Sequence, residues 1–279
     1  MPKKLFLLSL FAGILTATAQ IKTPAPSPSS TLKQVVGLTD ITVEYSRPSM
    51  KGRKVFGDLV PYGEVWRTGA NANTKVTFGN DVIIAGDTLK KGTYALYTKP
   101  AAQTWDVYFY SDTNNWGNPQ KWDDSKVALK TSAKVEEMPM PIETFTITID
   151  DLKDNSAVLG MLWENAYVGV KFDVPTDKIA TESIVAVMGG PTANDYYNAA
   201  MYYRNSGKDL KQALTWVTKA TELNKEAFWM MREKSLIHAA MGDKKAAIEA
   251  AKKSLESAKK ANYAPYVKMN EESIAEWSK

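Results

Sequence analysis

Cationic and carboxylate side chains crowd one stretch of the chain. Residues 45–74 read YSRPSMKGRKVFGDLVPYGEVWRTGANANT and carry Arg47, Lys51, Arg53, Lys54 and Arg67 beside Asp58 and Glu64. A guanidinium group offers a planar fork of donors that matches carboxylate or phosphate, whereas an ammonium is a point charge on a flexible stem. Arg47, Lys51, Arg53 and Arg67, with Glu64, Asn71 and Asn73 completing the contacts, therefore form a candidate binding set for a small polar or anionic ligand, or a glycan. The competing reading makes Arg67 a pin for the loop through Glu64 or Asp58 and leaves the lysines in water. Exposed pairs contribute only about 0.2–1 kcal/mol, a weak reason for so many cations. A hydrolase would use Asp58 or Glu64 as acid/base and Arg47, Arg53 or Arg67 to steady developing negative charge.

Composition narrows the chemistry. The chain has no Cys and a single His, so it offers no disulfide, no thiolate nucleophile and no His-rich metal site. No P-loop, GxGxxG, GxSxG or HExxH motif occurs, and no cofactor or metal is expected. SDTNNWGNPQKWDD begins like a calcium loop at Asp112-x-Asn114, but Trp116 occupies the fifth position and no closing Glu follows, so it reads as a turn. Trp116 and Trp122 in this loop would suit a glycan or anchor the loop, whereas Trp105 and Trp163 lie in apolar runs and read as core. His238, near the end of a helix, reads as a surface or satisfied histidine.

The elements that must position these groups follow from periodicity. Alternating or β-rich runs fall at 40–46, 74–79, 81–86, 92–99, 104–111, 126–134, 143–150, 156–164 and 166–174. Each has one apolar face to bury, which predicts an antiparallel two-sheet β-sandwich over residues 35–175. Residues 47–73 then form a long connection, its middle held down by Val60, Val65 and Trp66.

The flanks are different. MPKKLFLLSLFAGILTATAQ has a basic start, an apolar run and a small-residue Ala17-Thr18-Ala19 site, which predicts a signal peptide over 1–19, cleaved after Ala19, and export to the periplasm or beyond the cell. No transmembrane segment is expected after cleavage. Residues 20–34, rich in Pro and Ser, read as a tether. The 35 basic and 31 acidic residues are nearly balanced, more so once Lys3 and Lys4 are removed, so no nucleic-acid partner is expected.

After residue 175 the pattern becomes helical. A linking helix over 176–190 precedes a repeat region over 191–279, in which Gly207 and Gly242 fall at matching positions of two similar segments, as do Ala213 and Ala247. The spacing resembles tetratricopeptide repeats, with a cap at APYVKMNEESIAEWSK. The fold class is thus α+β: an antiparallel β-sandwich followed by a tetratricopeptide-like stack. Tyr196, Tyr203, Trp216 and Trp229 are the candidate surface for a protein or peptide partner.

The string RPSMKGRKVFGDLVPYGEVWRTGANANT, followed by WDVYFYSDTNNWGNP, resembles the signature of the exported bacterial family called domain of unknown function 2911, over about residues 35–175. The resemblance implies a β-rich exported domain, often with a helical repeat tail. It implies no established activity and carries over no catalytic residue. A non-enzymatic binding and adaptor protein of the envelope is the preferred reading.

Overall fold

The computed structural model describes residues 23–279. The expected signal peptide lies outside them. The chain divides into two compact units, one ending at Val174 and the other spanning Pro175–Lys279.

The first unit is one antiparallel sheet of nine strands. Its members are β1 (Ser29–Val36), β2 (Thr39–Ser46), β3 (Thr74–Phe78), β4 (Val82–Ile84), β5 (Asp87–Leu89), β6 (Gly92–Lys99), β7 (Thr104–Tyr110), β8 (Val127–Asp150) and β9 (Ser156–Asp173). They are ordered β1-β2-β3-β6-β7-β8-β9-β4-β5. The expected pair of sheets is therefore one continuous sheet. It turns on itself: Phe78 of β3 meets Phe172 of β9, and the backbone N–H of Ile147 in β8 donates to the Tyr45 hydroxyl of β2. The faces so enclosed bury the alternating residues Ile41, Val43 and Tyr45, together with Trp105, Phe145 and Trp163.

Two departures from expectation have clear causes. The tether expected over 20–34 gives way to structure at Ser29, because β1 pairs with β2 along its whole length and Leu32 packs on the core. Its Ser-rich composition hides that alternation. The runs at 126–134 and 143–150 are one strand, β8, as are those at 156–164 and 166–174 in β9. The joint in β8 is Met138-Pro139-Met140-Pro141, where proline cannot donate to a ladder. The β8–β9 register shifts there, between Glu137 and Ile142 and again before Thr146.

The second unit holds α1 (Thr176–Val187), α2 (Ala193–Asn205), α3 (Leu210–Leu223), α4 (Phe228–Ala240), α5 (Lys244–Lys260) and α6 (Ala264–Trp277). Thr192 opens α2 with a capping box closed by Asp195. Gly207 and Gly242, just past α2 and α4, have φ of +64° and +82°, the left-handed geometry in which glycine ends a helix at little cost. Ala200, Ala213 and Val217 pack with Ile237 between the helices. Arg204 of α2 and buried Glu233 of α4 form a two-pronged ion pair, with N–O distances of 2.6 and 2.9 Å. No helix of the described residues is long and apolar enough to cross a membrane.

Candidate functional site

Residues 47–73 leave β2 and return at β3 as a long connection pinned at several points. Pro48 accepts from the amide of Phe145, and the Met50 amide donates to Glu143, so the segment's start is stitched to the second half of β8. Its middle is held by Trp66, which exchanges two backbone hydrogen bonds with Thr98 of β6. The Trp66 ring stacks on Trp163 with centroids 5.8 Å apart and donates Nε1–H to the Gly69 carbonyl.

The seven candidate ligand-binding residues do not form one cluster. Arg47 donates to the Phe145 carbonyl and to Thr146 Oγ1, tying the loop to β8. Arg53 donates to the carbonyls of Met50 and Ser49 and closes its own turn. Lys51 is exposed, and its amide donates to Glu143. The two arginines serve loop geometry. Glu64 is exposed. Asn71 donates to Ser27 and Ser46, while buried Asn73 accepts from the Asn115 amide. Arg67 faces the 112–118 loop, its Nη1 3.4 Å from the place a Cβ on Gly117 would take. Its Nε is buried without a hydrogen-bond partner. The expected pairing of Arg67 with Glu64 or Asp58 is absent among the described residues. Nearby, Tyr97 donates to the Gly117 carbonyl, and burial pushes its hydroxyl up to about 12.

The two loop tryptophans part company. Trp122 packs against Tyr97, Tyr108 and Tyr110, so it anchors the loop. Trp116 is 82% exposed.

A cleft lies beside the same connection, built, Lys54 apart, from residues that local pattern did not mark. It encloses about 720 Å³ and is lined by Lys54, Phe56 and Tyr62 of the connection, Gln103, Lys134 and Glu137 across the β7–β8 edge, and Glu164 and Asn165 at the β9 joint. Glu164 organises one wall. It has φ of +54°, uncommon for a residue with a side chain, and its carboxylate accepts the successive amides of Val55 (3.3 Å) and Phe56 (3.0 Å). Asn165 donates to the Met138 carbonyl across the proline joint. Tyr62 rests over Gly57, where a Cβ would come within 2.8 Å of its ring, and stays about half exposed. Glu164 was hidden from sequence reasoning because its partners lie more than a hundred residues away. The only local hint is a Glu-Asn pair interrupting the apolar pattern of β9.

The family profile described as protein of unknown function (DUF2911) matches residues 27–172, just over half of the chain. The chain belongs to the DUF2911 family. The match starts at residue 27, inside the stretch read as a tether and just ahead of β1, and ends within β9. The DUF2911 region therefore contains the whole cleft and the whole 47–73 connection. No curated protein matches the chain.

Among the residues expected to meet a protein or peptide, Tyr203 and Trp216 pack edge to face at 4.7 Å in one cluster, while Tyr196 and Trp229 join a second with Ala220 and Met230. All four are partly buried. They divide between two packing clusters.

Proposed function

We propose that the DUF2911 unit is a non-enzymatic binding module for a neutral polar ligand of the glycan class, seated in the cleft beside Tyr62. The observation that carries this reading is the make-up of the cleft wall. An aromatic ring stands next to two ammonium groups, two carboxylates and two amides. Sugar hydroxyls donate and accept at once, so a rim of both kinds suits them. An anion would meet Glu137 and Glu164 as well as Lys54 and Lys134. Arg47 and Arg53, with their donors turned to backbone carbonyls and to Thr146 Oγ1, are the scaffold that shapes the connection.

A hydrolase using Asp58 and Glu64 draws less support. Both are exposed and neither lines the cleft. Of the acids that do, Glu164 has both oxygens committed to amides.

Export is proposed from the basic, apolar and small-residue order of residues 1–19. We read the second unit as a tetratricopeptide-like adaptor for a protein or peptide, on the strength of its paired helices and their glycine ends.

Isothermal titration of the full mature chain with cellotriose, maltotriose and chitotriose tests the binding reading. At least one should bind, and Tyr62→Ala should weaken it roughly threefold to tenfold, the scale of one lost aromatic contact. Stability should change by less than about 1 kcal/mol, because the ring is about half exposed. Unchanged affinity in Tyr62→Ala, or binding of none of the three sugars, would remove the glycan reading.

A further inference from the structure

The helical unit carries a groove of a different character. It encloses about 340 Å³ and is lined by Thr221 and Lys225 at the end of α3, Lys234 and His238 of α4, and Glu249 and Lys253 of α5. None of the three lysines has an ion-pair partner among the described residues, a state they share with Lys178, Lys211, Lys244, Lys245, Lys252 and Lys279 of the same unit, but these three line one groove. Glu249 is the one carboxylate of the lining, so positive charge is in excess there.

We propose that this groove binds a small multivalent oxyanion of the phosphate class, held by Lys225, Lys234 and Lys253, with the charge on His238 setting the affinity. Lys234 and His238 stand one helical turn apart on α4 and so present one face to the groove. Lys253 approaches from α5 and Lys225 from beyond the end of α3. An anion between them would take the place of the missing counter-charges.

The electrostatics agree with this geometry. Burial, then the neighbouring Lys253, holds the Lys234 ammonium below the usual lysine range, with Glu222 opposing. Burial also holds His238 below the usual histidine range; Asp243 opposes and Lys234 reinforces. His238 is thus neutral at pH 7 and gains charge as the pH falls. An anion should therefore bind more tightly in acid, and by linkage should raise the His238 titration midpoint.

His238 is the single histidine of the chain, so its ring protons report the site without ambiguity. In the full mature chain, sulfate keeps its double charge across the range and is the probe for pH. Its affinity should rise as the pH falls from 7.5 to 5, towards a limit of roughly fivefold once His238 is fully charged, and saturating sulfate should move the midpoint up by about 0.7 units, that limiting ratio seen from the other side. Pyrophosphate at pH 7.5 should bind more tightly than sulfate. Lys234→Met with Lys253→Met should abolish the shift, whereas Lys253→Arg should retain it. Should the doubly substituted chain lose its helical circular dichroism, Lys225→Ala, at an exposed position, should weaken binding instead. A midpoint unmoved by either anion, or a shift of equal size in the Lys234→Met/Lys253→Met variant, would overturn the proposal.

Discussion

Trp66→Ala is expected to destabilise the β-rich unit by about 3–5 kcal/mol, the range for truncating a large buried aromatic ring. Trp66 enters the core from the 47–73 connection, together with Val55, Phe56 and Val60. Its ring meets Phe56, Trp105, Phe145 and Trp163, with centroids 5.1–6.2 Å apart. Removing it leaves a void that the flanking strands are too rigid to close, and strips the Gly69 carbonyl of its indole donor. The effect should extend to the cleft, because Phe56 belongs both to this cluster and to the cleft lining. Urea unfolding followed by near-ultraviolet circular dichroism measures the loss. A change below about 1 kcal/mol would mean that the connection is held mainly by its backbone hydrogen bonds.

In the helical unit the largest effect is expected from Arg204→Met. Glu233 is 4% exposed, and its two oxygens are met by Arg204 Nε and Nη2. Replacing the arginine alone strands a carboxylate in a low-dielectric setting, at a cost of about 3–5 kcal/mol. Replacing both partners, as Arg204→Met with Glu233→Leu, should recover most of the loss, since a packed apolar pair carries no desolvation penalty. Thermal unfolding of both variants, followed by helical circular dichroism, separates these outcomes. A double variant as unstable as the single one would show that the two side chains matter for shape more than for charge.

Much of this architecture could be read from local pattern, and the exceptions share a cause. Alternation located β2, β6 and β7, and the apolar surroundings of Trp105 and Trp163 placed both in the core, where they are fully buried. The break to helix after residue 175 and the matched Gly207 and Gly242 were equally visible. β1 escaped because an edge strand in Ser-rich sequence needs only one neighbour and one buried flank. β8 looked like two strands because Pro139 and Pro141 punctuate the chain without ending the strand, and β9 looked like two because Glu164-Asn165 interrupts its apolar pattern.

The site was less legible than the fold. Counting cations drew attention to the connection that borders the cleft but could not say which of them were spent on backbone. Arg47 finds its carbonyl 98 residues away, and Arg53 finds its own three and four residues back. No local signal distinguishes these two uses from an open guanidinium. Glu164 shows the same limit: its role is set by amides across the unit, and only the fold brings them to it.

The account rests on the cleft beside Tyr62 being where a neutral glycan sits. Amide chemical-shift mapping of the chain from Gln20 onward, titrated with whichever of the three trisaccharides binds, tests this directly. The shifts should concentrate at Phe56, Tyr62, Gln103, Glu137 and Asn165. Shifts gathered instead around Arg67 and Trp116, or in the helical unit, would contradict it.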